Sequence, residues 1–244
     1  MHRFFIEGLL SAEIRITGQD AIHIQRVLRL QSGDFVVVVD PKGATGLAQI
    51  KKLEDKNILL SLQETLAEER ESPVRVYLAQ GLPKSDKMDL IVQKAVELGA
   101  SAVIPLETAQ CVVQYEAGKK KAKQERWQKI AMEAAKQSKR SHIPQVKEIQ
   151  SLSDCLSSMP EDVYKIMLYE GRNPQGIKQI LQRQRAKEVL LLVGPEGGFS
   201  ASEVELCQRH GVHVVSMGPR ILRTETAGLA GIAIVMYEYG DLGG

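Results

Sequence analysis

The chain has 244 residues, 43% hydrophobic and 25% charged, with a formal net charge of +2. This length admits one large domain, or a large domain with a small one, and the composition is that of an ordinary soluble globular protein. The most apolar C-terminal stretch, Gly228–Met236, is too short to span a bilayer, so no membrane association is expected. The N-terminal MHRFFIEGLL lacks an extended apolar core followed by a small-residue cleavage site, so no signal peptide is expected. Cys111, Cys155 and Cys207 are odd in number and far apart, with no CxxC spacing. Neither a disulfide framework nor a metal site follows, and a cytoplasmic location fits best.

Charge is unevenly distributed. Gly118–Lys147 holds ten Lys/Arg against two Asp/Glu, whereas the first 72 residues hold nine basic and eleven acidic residues. Concentrated positive charge is the footprint of a phosphate-backbone binder, although a solvated helix face has the same composition.

In chain order, the first ~70 residues predict short strands and turns. A helix is expected near Gly18–Leu30, followed by strands at Phe35–Val39, Ala44–Ile50 and Asn57–Leu62, with Asp40-Pro41-Lys42-Gly43 as a turn. Short strands in such a run commonly close into a small barrel. A domain boundary is expected in the polar stretch Ala67–Pro73, which contains EERESP, giving domains 1–70 and 73–244. Beyond Val74 the pattern alternates. Strands are predicted at 74–79, 102–106, 163–169, 188–193 and 212–216, and helices at 86–98, 122–138, 174–184, 200–209 and 224–238. Alternation of this kind predicts an α/β fold with a mainly parallel sheet, whose ligands sit beyond the carboxyl ends of the strands.

Two strand ends carry the chemistry. Val189–Val193 runs into Gly194-Pro195-Glu196-Gly197-Gly198, after which Ser200 and Glu203 have capping-box spacing. Glycine permits close backbone approach and proline stiffens the turn, so this loop can face a ligand or be a plain βα turn. It is neither the GxGxxG dinucleotide fingerprint nor a phosphate-binding P-loop, which disfavours a nicotinamide-dependent oxidoreductase. Val212–Ser216 ends in Met217-Gly218-Pro219, and Arg220-Ile221-Leu222-Arg223 follows, with Thr224 as the expected N-cap of a C-terminal helix. Ala227, Gly228, Ala230 and Gly231 on that helix permit close packing.

GPEGGF (194–199) followed by MGPRILRTETA (217–227) resembles the C-terminal half of the SPOUT superfamily of methyltransferases. Within it, the chain resembles the ribosomal RNA small subunit methyltransferase E family along nearly its whole length. Met1–Phe5, Ile22–Leu30, Gly81–Gly99 and Glu133–Pro144 resemble further motifs of that family, in the same order. One departure is visible. Where the family pattern has Arg-Ser after IPLETA, this chain has Gln110-Cys111, so that arginine's contact would have to come from another cation.

The resemblance implies a small N-terminal PUA-like β-barrel, a SPOUT-type parallel sheet with a C-terminal trefoil knot, and a homodimer. It implies S-adenosylmethionine as cofactor, held by three loops. The first contributes Leu168, Tyr169 and Glu170, and the second Gly194, Pro195, Glu196, Gly197 and Gly198. The third contributes Met217, Gly218, Ile221, Leu222, Arg223, Thr226 and Ala227. The implied reaction is methylation of uridine N3 in 16S ribosomal RNA, with that RNA or the small ribosomal subunit as partner. Arg223 is the candidate for stabilising the uracil anion. It is equally readable as a structural arginine pairing with Glu225 or Glu196, or holding a phosphate. Arg3, Arg26 and Arg29, and Lys84, Lys87, Gln137, Lys139 and Arg140, are the candidates for RNA contact, each against the alternative of a solvated surface group. Two other readings remain: a SPOUT enzyme acting on transfer RNA or ribose 2′-OH, and a non-catalytic RNA-binding assembly factor.

Overall fold

The computed structural model describes every residue except 68–69, 172–174 and 244. The chain divides into two compact units. One takes Met1–Glu71 with Ala135–Ile143, and the other takes Ser72–Ala134 with the chain from Pro144 onward. Of the polar stretch expected to hold the boundary, Glu68 and Glu69 lie outside the described residues.

The first unit contains β1 (Arg3–Phe5), β2 (Glu13–Thr17), α1 (Gly18–Ile22), β3 (Phe35–Val39), β4 (Thr45–Glu54) and β5 (Asn57–Leu66). They form a curled five-stranded sheet in the order β1-β3-β4-β5-β2. In β2, EIRIT alternates and buries Ile14 and Ile16, as a strand with one covered face must. The curl has a local cause: register shifts between Leu47 and Ala48 and between Ile50 and Lys52, where bulges bend the strand. Ile24, Val36, Val38, Ile50, Ile58 and Leu60 fill the core. The expected helix at 18–30 is shorter: α1 passes into a π turn over His23–Val27, and Arg29 then takes a left-handed conformation at φ 52°. Asp40 closes the predicted turn by accepting from the Lys42 and Ala44 amides at 2.8 and 3.0 Å. Residues 135–143 are tied in by charge. Glu71 accepts from Arg140 Nη2 at 2.5 Å and from the Ser141 amide at 2.9 Å, and Lys136 meets Asp20 at 2.8 Å.

The second unit contains β6 (Arg75–Gly81), α2 (Lys87–Glu97), β7 (Ala102–Glu107), most of α3 (Ala117–Gln137, whose residues from Ala135 on are counted with the first unit), β8 (Gln145–Val146), β9 (Gln150–Ser151), α4 (Leu152–Ser158) and β10 (Tyr164–Leu168). It continues with β11 (Gln175–Gly176), α5 (Ile177–Leu181), β12 (Glu188–Val193), α6 (Ala201–Arg209), β13 (His213–Ser216) and α7 (Thr224–Tyr239). The sheet order is β11-β13-β10-β12-β6-β7-β8, with β9 also pairing β7, and every pair is parallel. Central β10 and β12 are apolar and buried along nearly their whole length, as strands covered on both faces must be. The five predicted strands are present. Helix α3 starts five residues earlier than predicted, α5 is only one turn, and Pro174, the expected start of that helix, lies outside the described residues. Helix α4 escaped the sequence reading although Ser151 caps it, accepting from the Asp154 amide.

Between Ala227 and Met236, helix α7 is apolar all round. One side is buried through Gly228, Gly231, Ile232, Val235 and Met236. A Cβ on Gly231 would stand 2.7 Å from Leu191 Cδ2, so the glycine is what lets the helix lie on β12. Leu229, Ala230, Ala233 and Ile234 on the other side are half-buried, and Tyr237 is 68% exposed. Among the described residues, no helix is long and apolar enough to cross a membrane, and no cluster of His, Cys, Asp and Glu could hold a metal ion.

Candidate functional site

Three neighbouring strands, β12, β10 and β13, end at Val193, Leu168 and Ser216, and the loops that follow them wall one cavity of ≈ 580 Å³. This is the carboxyl edge of a parallel sheet, where ligands bind in open α/β folds. Of the residues expected to hold a cofactor, Leu168, Tyr169, Glu170, Gly194, Pro195, Glu196, Gly197 and Gly198 line it, and so do Met217, Gly218, Ile221, Leu222, Arg223 and Ala227. Thr226 does not; it is exposed on α7. Gly171, Phe199, Ser216, Arg220, Thr224 and Lys87 also reach the wall.

The second loop folds back on itself. A Cβ on Gly194 would stand 2.9 Å from the Gly198 carbonyl carbon, and the Gly198 amide closes a turn on the Pro195 carbonyl at 2.9 Å with φ at +70°. The predicted capping box follows. Ser200 Oγ accepts from the Glu203 amide at 3.3 Å, and Glu203 Oε2 accepts from the Ser200 amide at 2.8 Å. Gln110 lies against Gly197, where a Cβ would meet the Gln110 Cβ at 2.9 Å. The third loop turns at Gly218, φ +111°, and Ser216 Oγ accepts the Gly218 amide at 3.1 Å.

Thr224 is not the N-cap of α7. It is the first helical residue, and Arg223 holds the cap position without a side-chain bond. The Thr224 hydroxyl is taken up elsewhere: Oγ1 donates to the Gly194 carbonyl at 2.5 Å and accepts from Gln80 Nε2 at 2.8 Å. A tertiary partner has replaced the helix's own amide.

Lys87 bridges the second and third loops. Its Nζ donates to Glu196 Oε1 at 2.9 Å and forms an ion pair with Glu225 Oε2 at 3.3 Å, outside hydrogen-bond geometry. The bond to Glu196 raises the lysine above its ordinary value. Burial pushes the Glu196 carboxyl up, but Lys87 and the backbone amides of Glu196 and Lys84 outweigh it, and the carboxyl titrates below its usual range. The two carboxylates considered as partners for Arg223 are thus engaged by Lys87, and Arg223 is exposed on the cavity wall.

The candidate RNA contacts fall into different environments. Arg3 is buried and its Nη1 donates to the Arg140 carbonyl at 3.2 Å. Arg140 is buried against Glu71. Both guanidinium groups serve the interior of the first unit. Arg26, Arg29, Gln137 and Lys139 are exposed in that unit, and Lys84 is exposed in the second. Gln80 and Lys87 are what the sequence reading missed as parts of this site. A polar residue ending the apolar run Val76-Tyr77-Leu78-Ala79 was the available signal for Gln80.

Two family models match this chain. Residues 70–236 match the model of an RNA methyltransferase domain, and residues 16–63 match that of an RNA methyltransferase PUA domain. Ribosomal RNA small subunit methyltransferase E of Bacillus subtilis (strain 168) is 37% identical, with 98% of this chain and 97% of the relative aligned. The same-named protein of Aquifex aeolicus (strain VF5) is 30% identical over 97% and 99% of the two chains. A crystal structure of ribosomal RNA small subunit methyltransferase E from Neisseria gonorrhoeae bound to S-adenosyl methionine superposes with a TM-score of 0.91. It has 31% identity and covers 99% of each chain. This chain belongs to the ribosomal RNA small subunit methyltransferase E family.

Proposed function

We propose that this protein transfers a methyl group from S-adenosylmethionine to ribosomal RNA of the small subunit, and that the acceptor is N3 of a uridine in 16S RNA. The observation that carries this reading is the cavity that three strand-end loops wall together. Its ≈ 580 Å³ falls within the roughly 300–1,000 Å³ usual for small-molecule sites. The wall chemistry fits a nucleoside bearing a charged amino-acid chain. Gly194, Gly197, Gly198 and Gly218 contribute only backbone, Leu168 and Leu222 are apolar, and Lys87, Glu170, Glu196 and Arg223 are charged.

S-adenosylmethionine, when bound, supplies a methyl group made electrophilic by its sulfonium. The three loops serve to hold that donor in line with the nucleophile. Uridine N3 carries a proton at neutral pH, and the anion left when it departs spreads onto O2 and O4. Arg223, which lines the wall, is the proposed group to stabilise that charge. N3 lies on the pairing edge, so the target base must be unpaired or flipped out.

Residues 1–70 act, in this reading, as a PUA-like RNA-binding barrel, and residues 73–244 as the SPOUT methyltransferase domain with a C-terminal trefoil knot. The half-buried apolar side of α7 supports a homodimer, because a helix apolar all round is expected to be covered all round. The protein would work in the cytoplasm on 16S RNA or the small subunit. Four exposed cations, Arg26, Arg29, Lys84 and Lys139, are the proposed phosphate contacts, and if all engage single-stranded RNA, log affinity should fall with log salt at a slope of about −2.8.

The test is methyl transfer in vitro from labelled S-adenosylmethionine to protein-free 16S RNA and to small subunits, with the product nucleoside identified by mass spectrometry. 3-Methyluridine is expected. A different methylated nucleoside would remove the N3 assignment, and no transfer to either substrate would remove the activity.

A further inference from the structure

Gln80, next to last in β6, follows the apolar run Val76–Ala79 and is fully buried. Burying an amide is unfavourable unless its groups are paired. Its Nε2 donates to Thr224 Oγ1 at 2.8 Å and to the Gly81 carbonyl at 3.0 Å, and lies 3.4 Å from the Gly194 carbonyl. Thr224 Oγ1 donates to that same Gly194 oxygen at 2.5 Å. The two carbonyls can only accept, and the threonine proton is committed to Gly194. The amide atom facing all three is therefore the nitrogen. This orientation leaves Oε1 buried without a partner, beside Gly228, where a Cβ would stand 3.1 Å from it. A buried acceptor left unpaired calls for an explanation. The contacts supply one: what the nitrogen holds.

Three segments meet at this nitrogen: the end of β6, the first residue of the GPEGG loop, and the first residue of α7. Gly194 and Thr224 line the cavity, and Gln80 lies behind them. We propose that Gln80 is a positioning residue, which sets through Thr224 the separation of the second and third loops that S-adenosylmethionine binding requires. The inference rests on the methyl-donor reading of the cavity and adds a residue outside the ligand's reach.

Gln80→Met keeps the side-chain length and removes both the donor and the orphaned oxygen. Losing hydrogen bonds and losing an unsatisfied acceptor act in opposite directions on stability, so Tm should move little. S-adenosylmethionine Kd, measured by calorimetry, should rise about tenfold. Thr224→Val should weaken binding similarly, and the double variant should be no worse than the weaker single variant, because both break one network. Thr224→Ser, which keeps the hydroxyl, should bind as the wild type does. Gln80→Glu adds a pH readout. The neutral acid can still donate one hydrogen bond, whereas the carboxylate would face two carbonyl oxygens. Its affinity should therefore fall as pH rises through the range of a buried Glu, roughly 8–9, while that of the wild type does not follow it. Wild-type affinity in Gln80→Met overturns this inference alone, as does full additivity with Thr224→Val. Absence of S-adenosylmethionine binding by the wild-type protein overturns the reading of the cavity and this inference with it.

Discussion

Replacing Gly81 by alanine would drive a side-chain carbon into the loop that walls the cavity. Gly81 is buried at the end of β6, and a Cβ there would stand 2.5 Å from Pro195 Cδ, 2.6 Å from Pro195 N and 3.0 Å from the Gly194 carbonyl carbon. Ordinary carbon contacts begin near 3.4 Å, so the proline must retreat by about 0.8–0.9 Å. A proline ring and backbone atoms cannot rotate away as a flexible side chain can. The GPEGG loop must shift as a body, or β6 must. Overpacking of this kind costs about 1–3 kcal/mol, which at ~2–4 °C per kcal/mol lowers Tm by roughly 2–12 °C. A shift approaching 1 Å in a positioning loop should also reduce methyl transfer by up to about a hundredfold. Calorimetric Tm, S-adenosylmethionine Kd and single-turnover methylation measure the three effects. Gly118→Ala is the control: its Cβ meets nothing within 4 Å, and alanine favours the first turn of α3. If Gly81→Ala keeps the wild-type Tm, Kd and rate, the close approach of Gly81 to Pro195 does not limit this loop and the reasoning is wrong.

Arg223→Ala should lower the methylation rate by about 10²–10³ with donor affinity changed only a few-fold; an unchanged rate would remove the arginine from the chemistry. Burial pushes the Cys155 and Cys207 thiols up to about 12, so at pH 8 a disulfide reagent should label half-buried Cys111 in the native protein and the other two only after unfolding. Rapid native labelling of all three would contradict that burial. The Lys87–Glu196 pair has a defined pH window. Glu196 titrates below its unfolded value of 4.5, so its contribution is complete above that pH and is lost as pH falls through the folded value. Lys87 titrates above 10.5, so its contribution is complete below that pH and is lost as pH rises through the higher folded value. The Tm difference between wild type and Lys87→Met should therefore be flat from about pH 5 to 10 and shrink towards pH 3. A difference that persists undiminished in acid would show that it does not come from the charge on Glu196.

Much of the second unit was legible because its signals are local. Val189–Val193 is an uninterrupted apolar run, which only a strand buried on both faces or a core helix can use, and the Gly-Pro that follows ends it. Met88, Ile91, Val92, Ala95 and Val96 recur at helical spacing, and all five are buried on α2. Short elements were harder to read. The alternation in Glu13–Thr17 spans five residues, and the capped turn at Ser151–Asp154 precedes a helix of only seven. The π turn at His23–Val27 replaces one helical hydrogen-bonding pattern by another without changing which residues are apolar, so periodicity does not register it.

The same boundary between local and distant runs through the candidate site. By itself the sequence determined that two glycine-proline loops follow two strands, that a capping box starts α6, and that an arginine-bearing segment precedes an apolar helix. Each is a property of neighbouring residues and of the backbone angles they permit. Only the tertiary structure decided that Thr224 turns from its own helix to Gly194, that Gln80 reaches Thr224 across 144 positions, and that Lys87 takes Glu196 across 109. A polar side chain bonds to whatever group is within about 3 Å, and which group that is depends on how strands far apart in the chain are laid side by side.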